Sequence, residues 1–580
     1  MADFRKLVLA LLAVTLLLST TASAQFPPVN CVANTGVPPL LRSEGHTELV
    51  GDVVIQCTGG DPNALPATVN FDIFMTLPVT SDIEANGLTE ALIIIDEAGA
   101  PGRPPQALGT SVFQGLWSVA RGTQRLTWDG VPFQAPGTAD VRFYRITNVR
   151  VDAHSAGVPN NAVFPTEVQM LITISPPNSL PISNPQQIVG RILPSLRTAV
   201  EENTFRQCEL PSPAEVSLTF TERFASAFKK QNEGMQSVPG TVYATESGLN
   251  PTFNTNIGAA NTGTRFLIRF QDVPAGVTLG VPGQVGLSAV DLYLQRITGW
   301  GVYYSGGSPA AGGNVPLSGG AGEVLYEVRG DPLVNDISEN NSFEVVVTVA
   351  YEAGVELGAA QVWMSYAPLV AEPAAGLASA TLPEPRFFLD PAPEFEDLFT
   401  INPCRTLLLF PYLTSVAGFD SGFSIANTSE DPFGTVGQDG KCTMYFYQHD
   451  GDTTVWRTIE NVESGNTLVS VLTLGCLGSG FCEEVPGGAP AQGLDNFVGY
   501  MIAICDFQYA HGFAFISDAG ATQLAQGYLA LIIPDKASCS ETFVDEDGAV
   551  SCVTGPTKGL RAPEAFSRGA GENDGEQLAP

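Results

Sequence analysis

The chain has 580 residues, 60 acidic against 27 basic, a net charge of −33 and only 15% charged positions. So negative a chain repels nucleic-acid phosphates, which excludes nucleic acid as the expected partner. Four histidines and no Cys-x-x-Cys pair argue against a structural zinc site, while 60 Gly, 43 Pro and 44% hydrophobic residues describe a turn-rich chain able to bury several cores, about three or four by length.

Residues 1–24 read as a secretory signal. Arg5 and Lys6 give a positive start, Leu7 to Leu18 an apolar run too short to span a bilayer, and Ala22-Ser23-Ala24 a small-x-small cleavage site. The mature chain then begins at Gln25, one unit more negative. No later stretch is apolar and long enough for a membrane helix, so the protein is expected outside the cell or at its surface, the periplasm being the other oxidising destination.

Residues 25–205 read as a β-rich region. Glu48 to Gln56 leads into a strand closed by the turn at Cys57 to Gly60; Val69, Phe71, Ile73 and Met75 share one face of the next. Ala91 to Ile95 is a continuous apolar core strand, and Val141 to Val151 (VRFYRITNVRV) and Val168 to Ile174 follow. In 186–200, Ile188, Ile192, Leu196 and Val200 keep helical spacing, but Pro194 inside that helix would cost about 3 kcal/mol, so two short strands are expected.

Residues 206–382 carry six further strand-like runs and read as a second β-sandwich region. Phe220, Phe224 and Phe228 fit a strand face or one helical turn, and FEVVVTVAY and QVWMSY look like a hairpin across EAGVELGAA. A Pro-rich linker is expected at 383–399, a C-terminal sandwich at 400–555, and a disordered tail at 556–580. In the C-terminal module seven apolar runs between Arg405 and Ile533 suffice for two packed sheets, with Ile504, Phe507, Phe513, Phe515, Leu529 and Leu531 expected in the core. The fold class is therefore all-β: several immunoglobulin-like β-sandwich modules in tandem.

All ten cysteines lie beyond the signal, and an even number in an exported chain favours disulfides, at least three here. Proximity suggests Cys31–Cys57, Cys476–Cys482 and Cys539–Cys552; Cys442 and Cys505 sit in strand patterns that a bridge could join. Cys208 and Cys404 are then left over. The alternative is that some stay reduced and buried as small hydrophobes.

The strings LLRSEGHTELVGDVVIQCTGG, VRFYRITNVRVDA, CRTLLLFPYLTSVAGFDSGFSIANTSEDPFG and FQYAHGFAFISD together resemble a family of large secreted bacterial β-rich proteins of unassigned function. The resemblance implies export and β-rich modules; it carries no catalytic residues.

Candidate chemistry is sparse. His511, with Asp506 and Asp518 near in sequence, lacks a nucleophile elbow and reads as a hairpin residue; Gly478-Ser479-Gly480 is a turn between cysteines. His449-Asp450-Gly451-Asp452 lacks the order of a calcium loop and reads as a hairpin turn, although it, Asp431, Asp545 and Asp547 could hold Ca²⁺. Glu44 and Glu48 could be a glycosidase pair but read as turn or surface groups, with Arg42 beside them as an ion-pair partner. Trp117, Trp128, Trp300, Trp363 and Trp456 read as core rather than a sugar platform. Asn340-Asn341-Ser342 and Asn427-Thr428-Ser429 match an N-glycan acceptor that a bacterial protein leaves idle.

The expected function is that of a secreted, non-enzymatic structural or interaction protein of the cell surface or extracellular space, with a protein or glycan partner and no cofactor. The alternative is a carbohydrate- or calcium-binding protein, and after it an extracellular hydrolase. N-terminal sequencing of the exported protein should return Gln25 as the first residue; a chain that still starts before Leu18 contradicts the reading of the signal.

Overall fold

The computed structural model describes residues 26–97, 107–176, 180–207, 214–232, 242–251, 256–286, 292–298, 307–330, 341–352, 355–402, 404–433, 435, 437–476, 481–518 and 524–533, with the backbone of two further strands, Glu541–Val544 and Val550–Val553. The signal at 1–24, the tail at 556–580, Cys208, Cys539, Trp300, Asp545 and Asp547 lie outside the described residues, as does the side chain of Cys552.

Period-two burial shapes the first core. In Ala67–Met75, Val69, Phe71, Ile73 and Met75 are all buried, and Leu92–Ile95 is buried throughout. Two five-stranded sheets enclose them. One is built around Val53–Gly59 and Gly137–Thr147, the other around Thr166–Ser175 and Ala67–Met75. The sequence VRFYRITNVRV is not one strand: Asn148 adopts a positive φ of 57°, so the chain breaks after Thr147 and resumes as the short strand Arg150–Val151. Gln186–Leu193 and Leu196–Glu201 are two strands, with Pro194 in the break between them.

The second core begins already at Leu196 and runs to Asn402. Leu196–Glu201 pairs with Glu215–Glu222, and Asn203–Arg206 lies parallel to Glu396–Asn402. The two runs read as a hairpin lie in opposite sheets. Ser342–Ala350 pairs with Glu215–Glu222, and Gly358–Ala367 pairs with Arg265–Gln271. Each strand has one face in the shared core, so the connection arches across the sandwich instead of folding back. Phe220 is in a strand, while Phe224 and Phe228 follow it in a loop; all three are buried.

The stretch 383–399 is not a linker. Glu384, Arg386 and Phe387 are buried, Leu369–Val370 pairs with Phe387–Phe388, and Glu396–Asn402 is a sheet strand beside Gly358–Ala367. Pro385, Pro391 and Pro393 gave it the composition of a spacer, but its polar and aromatic side chains are used in packing. Residues 368–388 form a strap against the first core: His46 N–H donates to the Arg386 carbonyl at 2.9 Å, and Phe388 N–H to the Glu44 carbonyl at 3.0 Å.

The third core lies between a six-stranded and a five-stranded sheet. Leu408, Phe410, Phe423, Met444, Trp456, Met501 and Phe507 fill it. The expected last strand divides at the buried Ala530: Ala525–Leu529 pairs with Ala510–Ser517 in one sheet, and Leu531–Ile533 with Thr406–Thr414 in the other. Five of the six expected core residues point outward: Phe513 and Phe515 are 43% and 42% exposed, Leu529 and Leu531 more so, and Ile504 less. Ile504 is half-buried and Phe507 buried.

Disulfides join Cys31 to Cys57 and Cys442 to Cys505, each directly opposite in neighbouring antiparallel strands. A third joins Cys476 to Cys482 and ties the two sheets of the third core together. Cys404 is also disulfide-bonded. The face assignment in the third core is tested by denaturation. Phe423→Ala should cost about 3–5 kcal/mol and Phe513→Ala less than about 1 kcal/mol; comparable losses would contradict it.

Candidate functional site

The functional residues singled out by sequence do not converge. His511 is exposed at the start of Ala510–Ser517, opposite Ala426. Asp506 lies in the turn before it, its carboxyl raised by burial and opposed by Arg457 and Arg405. Asp450 and Asp452 form the hairpin turn between Cys442–Gln448 and Thr453–Thr458, where Gly451 has φ 98° and Asp450 accepts from the Asp452 N–H. Asp431 accepts from Phe433 N–H and Thr435 and shapes its own turn. Trp128 and Trp456 are fully buried, and Trp117 and Trp363 half-buried, with Arg269 over the Trp363 ring. Glu44 accepts from Ser195 N–H and Oγ.

Glu48 is a correction: it is buried, not a surface group. It belongs to a network of charges enclosed where the second core and its strap lie on the first. Arg42 ends the strand Leu40–Arg42. Its Nε donates to Glu48 at 2.7 Å, and its two terminal nitrogens donate to the two oxygens of Glu246 at 2.7 and 2.8 Å. Thr264 Oγ1 and the Ala227 carbonyl also accept from it, and the Phe387 ring lies 4.9 Å from the guanidinium. Such a two-pronged ion pair is the arrangement that compensates the several kcal/mol lost when an ion leaves water. Burial pushes the Glu246 carboxyl up, but Arg42 outweighs it and holds the group below the usual carboxylate range. Burial, with Arg42 beside it, lowers the Lys229 ammonium.

Arg150 is the second centre. Its Nε lies 2.8 Å from Glu90 and 2.9 Å from Glu384, and its terminal nitrogens donate to the Thr47 and Glu246 carbonyls. One guanidinium thus faces two carboxylates. Burial raises the Glu384 carboxyl well above its ordinary value; Arg150 opposes this, and Glu90 and Asp82 add to it. Asp82 is pushed up to about 6 by burial and by Glu90. Glu90 Oε2, Glu384 Oε1 and Arg386 Nη1 have no hydrogen-bond partner among the described residues. A third centre joins Arg145 to Asp52 at 2.5 Å and to Glu97, with Tyr243 O–H donating to Asp52 at 2.9 Å.

At the edge of the network His46 Nδ1 lies 2.8 Å from Asp152 and 3.5 Å from Glu372. These three residues are a group with the donor types of a metal site. Sequence reasoning passed over nearly all of this network. The available signal was ionisable residues inside apolar strand text, as in LLRSEGHTEL and NVRVD, in a chain poor in charge.

No family model and no curated protein matches the chain. Among solved structures, the Streptococcus agalactiae AgI/II polypeptide BspA C-terminal domain overlaps 58% of this chain and 95% of that one, at 6% identity and a TM-score of 0.21. The T6 backbone pilin of serotype M6 Streptococcus pyogenes overlaps 92% of this chain and 91% of that one, at 8% identity and a TM-score of 0.24. At these TM-scores neither overlap establishes a shared fold.

The network has a pH signature. A carboxyl whose pKa is higher folded than unfolded favours the folded state while protonated, and that contribution is lost as pH rises through the folded value. Asp82 loses it between about 4 and 6, and Glu384 across a range reaching well above the usual carboxylate value. The protein should therefore melt at lower temperature at pH 8 than at pH 5. One proton sets a slope of up to about 1.4 kcal/mol per pH unit. Glu384→Gln should flatten that slope; an unchanged pH profile would contradict the assignment.

Proposed function

We propose that the chain is an exported structural or interaction protein of the cell surface or extracellular space, which presents the outer faces of its third sandwich to a protein partner. The observation that carries the reading is the writing of those faces. On the five-stranded sheet Phe513 stands beside Leu529 and across Ser424 from Val469, and Phe515 beside Gly422, whose other neighbour is Val471. The glycines beside them leave room for the rings as they lie: a Cβ at Gly422 would meet the Phe515 ring, and one at Gly527 would meet the Phe513 ring at 2.6 Å. On the six-stranded sheet Leu531, Leu409, Ile502, Tyr445 and Val455 form one outward row, and Tyr447 and Tyr500 stack at 4.9 Å.

A solvated sheet face ordinarily alternates to polar residues; an outward face this apolar favours association. Each buried phenylalanine would contribute about 1.5–3 kcal/mol. Phenylalanine and aliphatic rows suit a protein surface better than a sugar, because they offer no hydrogen bonds to hydroxyl groups. The disulfides favour an oxidising compartment.

The test is native-gel sizing of the protein recovered from its own host's envelope and medium. The wild-type chain should run in a complex larger than its own mass, and Phe513→Ser with Phe515→Ser should run at its own mass while keeping a strand-type circular dichroism spectrum. A wild-type chain found free in both fractions would contradict the reading.

A further inference from the structure

The small number of histidines argued against a zinc site, yet two of the four lie together. The His46 and His154 rings are 5.2 Å apart, and His154 stacks on Phe388 at 4.0 Å. His154 is not free to join a cluster through Nδ1, which lies 3.1 Å from the Ser43 carbonyl. His46 differs. It is wholly buried, and its Nδ1 faces two carboxylates from distant parts of the chain. Asp152 stands just before the turn His154–Ala156 on the first core, and Glu372 lies in the strap between Leu369–Val370 and the turn Ala374–Gly376.

We propose that His46, Asp152 and Glu372 hold a divalent cation of the zinc type, which clamps the strap to the first core. The three donor atoms lie within 4.8 Å of one another. In a tetrahedral zinc site with ligands at about 2.0–2.2 Å, donor atoms stand about 3.4 Å apart. The His46–Glu372 separation of 3.5 Å already matches, and the His46–Asp152 separation of 2.8 Å is that of a shared proton, which a cation would replace with a small outward shift of Asp152. One imidazole nitrogen with two carboxylate oxygens suits zinc better than calcium, which takes oxygen ligands.

His46 Nε2 is buried without a hydrogen-bond partner among the described residues, so the polar contacts that hold the ring are those on its Nδ1 side. Position 376 is glycine where a Cβ would lie 2.4 Å from the Asp152 carboxylate, so the strap backbone comes close to that group. The Glu372 side chain is 45% exposed, which leaves a path for the ion and room for water as the fourth ligand. Arg386, the nearby cation, is engaged by the Ala375 and Leu377 carbonyls.

Zn²⁺ alone, titrated by calorimetry into the full chain after EDTA treatment and dialysis, should fill one saturable site and raise the melting temperature. Glu372→Gln, a change at a half-exposed side chain, should weaken Zn²⁺ at least tenfold while the circular dichroism spectrum stays that of wild type. His46→Gln should lack the site. Ca²⁺ should bind at least tenfold more weakly than Zn²⁺. The proposal is overturned if wild type shows no saturable site, if Glu372→Gln binds Zn²⁺ as wild type does, or if Ca²⁺ binds equally well.

Discussion

Arg42 keeps its guanidinium entirely out of water, between Glu48 of its own core and Glu246 of the region that follows. An ion in that position is tolerated only with its partners in place, because losing one leaves an uncompensated buried charge at a cost of about 3–5 kcal/mol. The same condition holds for Arg150 and Glu90, beside which the raised carboxyl of Glu384 lies. Since the partners come from both cores and from the strap, neither core can turn against the other without exposing or orphaning a charge. The junction therefore sets one relative orientation.

The third core follows a different rule. Its sandwich closes with apolar residues inward, as the others do, but apolar residues also face outward. Leu407, Leu409, Ile502 and Ile504 are the outward members of strands whose inward members are Leu408, Phe410, Met501 and Ala503. Two arrangements thus follow one another along the chain: a pair of sandwiches whose buried polar residues pair with each other, and a third sandwich with apolar residues on its outer faces as well as in its core. The acidic balance of the chain fits this division, since long-range repulsion keeps such a surface from indiscriminate contact.

The all-β architecture was legible because strand periodicity is local. Alternation in Val69 to Met75 and the turn residues between runs are enough to place strands, and Pro194 was enough to exclude a helix. What alternation cannot state is which face meets a core. In Ala510–Ser517 both faces are apolar, so alternation alone offers Phe513 and Phe515 for the inside, whereas Ala510, Gly512 and Ala514 hold that side. Small residues fit the tightly packed interior, where Gly512 lies against Phe410 and Ala530, and large ones lie on the outside. The linker expectation fails for a related reason: proline and alanine content reports on stiffness, while burial of Glu384 depends on Arg150, far away in sequence, and Arg386 is held through its backbone by Thr47 and through its side chain by the Ala375 and Leu377 carbonyls. His46, Asp152 and Glu372 were invisible as a group because their spacing in sequence has no regularity at all.

The claim on which the account rests is that the first two sandwiches are one unit, fixed by buried charge. Differential scanning calorimetry of the full chain and of Arg150→Met tests it most directly. The account predicts that both cores melt in one transition, separate from that of the third, and that Arg150→Met lowers the joint transition while the third core's stays in place. Independent melting of the first and second cores, with Arg150→Met shifting only one of them, would contradict it.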